Sequence, residues 1–150
     1  MIIVVGADHG GFHLKKEIIS FLRDSGHKVV DTGAHDDRPS DYPDFAKAIA
    51  EKIINKKAKR GILICGSGVG ACIAANKFPG IRASVCHDTF SAHQGVEDDD
   101  MNVLCLGARI IGPMLAREIV RTFIQARFSN EARHRKRLRK VLAIEKSYLK

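Results

Sequence analysis

The sequence has little with which to stack on bases, cross-link itself or span a bilayer. Its 150 residues include seven phenylalanines, two tyrosines and no tryptophan. None of these aromatics falls between Arg133 and Lys146, so the arginine-rich segment lacks a base-stacking surface and nucleic-acid binding is the last of the readings. The four cysteines, at 65, 72, 86 and 105, form no C-x-x-C pair and sit in apolar or glycine-rich segments, which fits reduced thiols rather than a disulfide framework. No histidine has zinc-ligand spacing, so no metal site is expected. The apolar run Ile2 to Val5 is broken at once by Gly6, Asp8 and His9, too early for a signal peptide or a membrane span. A soluble cytoplasmic protein with no membrane partner is expected.

What the chain does have is enough apolar residue, 45%, to build one core. A chain of this length buries roughly 68–70% of its unfolded surface without metal or disulfide, and one domain over 1–150 is the natural count. The net charge of +8 is concentrated: from Arg127 to Lys150 nine Lys or Arg face only Glu131 and Glu145, a local +7, which leaves +1 for the preceding residues. Such a segment could bind a polyanion, bring a few arginines to one small phosphate, or be a solvated face. Arg133 and Arg137 are four apart and share a helical face, whereas Arg135, Lys136, Arg139 and Lys140 include solvated positions.

Short β-branched runs alternate with stretches of helical period. Strands are predicted at Ile2–Gly6, His27–Asp31, Gly61–Cys65, Ile81–Cys86 and Asn102–Leu106, several continuously apolar, as parallel strands buried on both faces should be. Between them Leu14, Ile18 and Leu22, then Phe45, Ile49 and Ile53, then Leu115, Ile119 and Phe123 form apolar helical stripes. The alternation predicts an α/β protein, a three-layer α/β/α Rossmann-like sandwich around a five-stranded parallel sheet, with an appended C-terminal helix from Asn130 to Tyr148. With flavodoxin-like strand order the ligand crevice lies beyond the carboxyl ends of strands one and three. The two most glycine-rich turns, Gly6-Ala-Asp-His-Gly-Gly11 and Gly66-Ser-Gly-Val-Gly70, follow those strands and should face one another.

The second turn places Cys65 at the end of a buried strand, before glycines that let backbone N–H groups converge on an oxyanion at a helix N-terminus. Cys65 there could be a base, a nucleophile or packing. A C-x5-R phosphatase loop would need arginine where Ala71 stands, a Walker A loop is absent, and GxGxG only approximates a dinucleotide fingerprint. In the facing turn Asp8 and His9 supply a carboxylate and an imidazole, the groups needed to move protons between sugar oxygens. Cys72, Cys86 and Cys105 read as core, and His13, His27, His35, His87, His93 and His134 as surface or structural residues.

Gly6-Ala-Asp-His-Gly-Gly11, Asp41-Tyr-Pro-Asp44, Ile64-Cys-Gly-Ser-Gly-Val-Gly70, Ala74-Ala-Asn-Lys77, Gly80-Ile-Arg-Ala83, Gly107-Ala-Arg109 and Arg133-His-Arg-Lys-Arg137 occur in one order across the chain. Jointly they resemble the type B ribose-5-phosphate isomerase family, which includes galactose-6-phosphate isomerase subunits. The resemblance implies an aldose-ketose isomerase without metal or organic cofactor, acting on D-ribose 5-phosphate through a cis-enediolate. It implies Cys65 as the base, with Gly66, Ser67, Gly68, Val69 and Gly70 holding the enediolate oxygen and Ser67 relaying a proton. Asp8 and Tyr42 would line the sugar pocket, and His9, Arg109, Arg133 and Arg137 would grip the phosphate. It further implies a homodimer or homotetramer whose site is shared between subunits.

The chain departs from the family at Asp98, where a ring-opening histidine is usual, and at Asp99, where asparagine is frequent. Ser67, where threonine is common, is a milder change. A carboxylate with an ordinary pKa near roughly 4 is a poor proton donor at neutral pH. Three explanations fit: Asp98 opens the ring with a pKa raised by its acidic neighbours, Asp8 or His9 takes the task over, or the substrate needs no ring opening. A tetrose 4-phosphate would meet the last condition. The alternatives are therefore an isomerase of another sugar phosphate, tetrose 4-phosphate or hexose 6-phosphate, and a non-catalytic sugar-phosphate-binding module.

Overall fold

The computed structural model describes residues 1–148; Leu149 and Lys150, the end of the predicted 1–150 domain, lie outside the described residues. Strands β1 (Ile2–Ala7), β2 (Lys28–Asp31), β3 (Arg60–Cys65), β4 (Ala83–Val85) and β5 (Val103–Gly107) form one parallel sheet. Helices α1 (Phe12–Asp24), α2 (Tyr42–Ile54), α3 (Val69–Ala75), α4 (Thr89–Asp99) and α5 (Pro113–Gln125) fill the intervals, and α6 (Ala132–Tyr148) is appended.

Side chains alternate across the pleat and build two cores. Ile3, Val5, Ile62, Ile64, Leu104 and Leu106 meet α1, α4 and α5 on one face. Val4, Leu63, Cys65, Val103 and Cys105 meet α2 and α3 on the other. The expected three-layer α/β/α sandwich is the one observed. The helix stripes are its contacts, although Leu115 is 40% exposed and only Ile119 and Phe123 of its stripe are fully buried.

The strand order is β2-β1-β3-β5-β4 and not the flavodoxin-like order expected. The reason is legible in burial. All five residues of β5 are buried and suit a central position, whereas β4 is partly exposed throughout and exposes Ser84, as an edge strand must. β4 is also shorter than predicted at both ends, and at its start the Arg82 N–H is taken by the Asn102 side chain at 2.8 Å rather than by a ladder partner.

The order has a consequence for ligand binding. Crossovers that move toward β2 along the sheet run over the α1/α4 face, and those that move away run over the α2/α3 face, which keeps a single hand throughout. The helix after β3 therefore lies on the opposite face from the helices after both neighbours, β1 and β5. The loop following β3 stands at two reversals at once, flanked by the loops following β1 and β5.

Candidate functional site

Asp8 follows β1 directly and is 7% exposed. Its carboxylate accepts from the Gly10 N–H at 2.9 Å and the Gly11 N–H at 3.2 Å, which caps a short 3-10 turn at His9–Gly11. His9 is pinned outward by Ser40: its backbone N–H donates to Ser40 Oγ at 3.0 Å, and its Nδ1 lies 3.1 Å from both the Ser40 nitrogen and the Ser40 carbonyl oxygen.

Facing this turn, Cys65 closes β3 and is 5% exposed. The chain turns at Gly68, whose φ of +82° is a left-handed conformation, and this aims the Gly68 N–H at Cys65 Sγ, 3.1 Å away. The Val69 N–H donates to Ser67 Oγ at 3.3 Å as α3 begins. The two glycine turns approach so closely that a Cβ on Gly10 would stand 3.3 Å from the Gly66 nitrogen, and one on Gly11 only 2.5 Å from the Ile64 carbonyl oxygen. The expected confrontation of the two turns is present in the structure.

The loop after β5 supplies the third wall. The Ala108 N–H donates to the Cys65 carbonyl at 2.9 Å and the Arg109 N–H to the Gly66 carbonyl at 3.0 Å. The Arg109 side chain lies along Gly66, with Nε 3.4 Å from where a Cβ would be. Tyr42, the first residue of α2, lays its ring against Gly70. Asp8, His9, Tyr42, Cys65, Gly66, Ser67, Gly68, Val69, Gly70 and Arg109 thus gather at the carboxyl ends of β1, β3 and β5.

Asp98, Asp99, Arg133 and Arg137 do not join them. Asp98 and Asp99 end α4, just before β5 begins, and β5 then runs four residue steps, about 13 Å at strand rise, before reaching Gly107 opposite Cys65. Asp99 instead lines an apolar groove of about 690 Å³ between β4 and α6, with Ile81, Met101, Val141 and Ile144. Arg133 and Arg137 are exposed on α6, where Arg133 Nε donates to Glu131 at 3.0 Å. Within one chain the candidate residues form two groups at opposite ends of the sheet.

Three further residues belong to this description. His87, just beyond β4, accepts the Gly107 N–H on Nε2 at 2.9 Å and so buttresses the Arg109 loop; its position past a strand's carboxyl end is a signal like that of Cys65. Ser40 had no sequence signal. His134, flanked by arginines in a polar run, is 3% exposed and puts Nε2 3.3 Å from Asp98 Oδ1. Among the other thiols, Cys86 and Cys105 are buried as expected, and burial pushes Cys86 up. Cys72 is only half-buried; a hydrogen bond with the Cys105 thiol lowers it to about 7 and, with burial, pushes Cys105 well up.

These features have counterparts in known proteins. A solved ribose-5-phosphate isomerase B from Clostridium thermocellum superposes with a TM-score of 0.96 at 47% identity, covering 99% of each chain. Ribose-5-phosphate isomerase B of Escherichia coli is 43% identical over 143 residues, 95% of each chain. A D-erythrulose-4-phosphate isomerase of Pectobacterium atrosepticum is 44% identical over 128 residues, 84% of each chain. The family model described as Ribose/Galactose Isomerase matches residues 3–141, and the chain belongs to that family of sugar-phosphate isomerases.

Proposed function

We propose that this enzyme interconverts D-ribose 5-phosphate and D-ribulose 5-phosphate through a cis-enediolate, with Cys65 as the base and no metal or organic cofactor. The observation that carries this reading is the position of Cys65 Sγ under the Gly68 N–H of the glycine turn, with the Asp8 turn packed against that turn on one side and Arg109 lying along Gly66 on the other. The Cys65 thiolate takes the proton from C2 of the open aldose, and the electron pair moves through the C1–C2 bond onto the carbonyl oxygen. Amides of Gly66 to Gly70 hold that oxygen as charge develops, which costs no reorganisation because the turn is already formed. The thiol returns the proton to C1 while the Ser67 hydroxyl carries the hydroxyl proton from O2 to O1, leaving the ketose. Asp8 and Tyr42 orient the sugar, and His9 and Arg109 hold the phosphate.

In this reading Asp98, Asp99, Arg133 and Arg137 of a second copy complete the crevice, so a homodimer is the smallest competent assembly and a homotetramer pairs two of them. Their separation from Cys65 within one chain supports it. The test is turnover: Cys65→Ala is expected to abolish ketose formation from D-ribose 5-phosphate while phosphate-dependent binding persists. Comparable turnover in the variant removes Cys65 as the base. A second reading, a tetrose 4-phosphate as substrate, is favoured by the carboxylate at Asp98 and by the relative named for D-erythrulose 4-phosphate. It requires kcat/KM on D-erythrose 4-phosphate to exceed that on the pentose phosphate, with the pentose nearly inert.

A further inference from the structure

On the isomerase reading, a cyclic pentose phosphate must open before Cys65 can act, and Asp98 alone is poorly equipped to donate the necessary proton. The structure supplies an imidazole to it from another helix. Asp98, whose side chain is 30% exposed, accepts from Gln94 Nε2 on Oδ2 at 2.6 Å and faces His134 Nε2 with Oδ1 at 3.3 Å. His134 in turn has Ser129 Oγ 2.6 Å from its Nδ1. Ser129 is tied back to α4, since its N–H donates to the Glu97 carbonyl at 2.9 Å, and its Oγ also accepts the Glu131 N–H at 3.3 Å.

This chain tolerates either protonation state of the ring. With neutral imidazole, the Ser129 hydroxyl donates to Nδ1 and Nε2–H donates to Asp98. With imidazolium, Nδ1–H donates to Ser129 Oγ and Nε2–H still donates to Asp98, so neither state leaves a buried group without a partner. His134 is too buried to touch a ligand, at 4% side-chain exposure, whereas Asp98 is open to one.

We infer that His134 is a positioning residue that keeps a transferable proton on the Asp98–His134 pair, and that Asp98 passes this proton to the ring oxygen of a furanose 5-phosphate. As the C1–O4 bond breaks, O4 takes the proton from Asp98, and the C1 hydroxyl gives its own proton back to the pair as the carbonyl forms. The net proton count is unchanged. The inference rests on the isomerase reading and extends it, since the imidazole missing from α4 is replaced from α6.

D-ribulose 5-phosphate separates this role from a structural one, because it has no ring to open. The experiment compares ketose formation from D-ribose 5-phosphate with solvent-deuterium incorporation at C1 of D-ribulose 5-phosphate, in the full-length wild type and His134→Gln. Glutamine keeps a donor toward Asp98 but cannot take up a second proton. Ribose turnover is expected to fall at least about a hundredfold, the lower reach of a general-acid contribution of about 10²–10⁴. KM and deuterium incorporation are expected to stay within about twofold, as the enediolate step does not use the pair. Ser129→Ala, on an exposed turn, should show a smaller loss of the same kind and guards against misfolding of the buried variant. Equal loss of both activities makes His134 structural and overturns the inference, as does no loss of either. A wild type that exchanges the ketose but leaves ribose untouched also overturns it. Failure of the wild type in both assays defeats the isomerase reading itself.

Discussion

Gly70→Ala separates what the crevice needs from what the fold needs. Gly70 is the second residue of α3, and an ideal Cβ there stands 2.8 Å from Tyr42 Cζ, 3.0 Å from Cε1 and 3.2 Å from Cε2. Contacts so far inside the usual 3.5–4.0 Å carbon separation cannot persist, so one partner must move. The contacting atoms belong to the ring of a side chain that is 39% exposed and can swing outward. Replacing glycine by alanine gains about 0.5–1 kcal/mol in a helix interior and less in the first turn, where Gly70 stands, which offsets part of the cost of the displaced ring. Stability should therefore change by less than about 1 kcal/mol, whereas loss of the proposed Tyr42 contact with the sugar, about 1–1.5 kcal/mol for one hydrogen bond, should raise KM about tenfold. Urea unfolding and steady-state kinetics on D-ribose 5-phosphate measure the two effects, and the cycle with Tyr42→Ala isolates their origin. In the Tyr42→Ala background the Gly70→Ala change should leave KM unaltered. A loss of stability well beyond 1 kcal/mol, or an undiminished KM effect without the ring, would refute the reasoning.

The proposed sharing of the site between two copies predicts complementation. Cys65→Ala and Arg137→Ala proteins, each weak alone, should recover about a quarter of wild-type activity when mixed at equal amounts and re-paired at random, because half the dimers are hybrids with one intact site. No recovery places both groups in the same copy's site. Thiol labelling should be led by Cys72, which is half-buried and has its pKa lowered to about 7. Thiolate is the reactive form, so alkylation should rise as pH increases through about 7 and level off above it, as mass spectrometry of tryptic peptides would read. First labelling at Cys105, which is 0% exposed and pushed well up, contradicts the geometry.

Most of the fold was legible because buried parallel strands announce themselves as continuous apolar runs. Ile62 to Cys65 and Val103 to Leu106 are such runs, and both are central. The strand order was harder to read, since periodicity assigns an element's type but not its neighbour. The clue lay in composition: Arg82 and Ser84 make β4 a poor central strand, and Cys105 with its apolar flanks makes β5 a good one. That contrast puts β5 inside the sheet and β4 at its edge.

The site divides along a similar line. Residues on the turns after β1 and β3 could be placed together from sequence, because strand polarity carries every such turn to one end of the sheet. Arg109 obeys the same rule, being two residues past β5. Asp98 and Asp99 do not: they end a helix that runs back along the sheet, so the rule that brings Cys65 and Asp8 together sends them to the far end. The same folding geometry that separates them from Cys65 sets Asp98 beside His134, since α6 starts where α4 stops and the Ser129 N–H bonds to the Glu97 carbonyl. A histidine between exposed arginines gives no sequence sign of burial; only the packing of α6 on α4 creates one. Residues at strand ends are thus readable one at a time, whereas residues at helix ends acquire their chemistry from whichever element is packed against them.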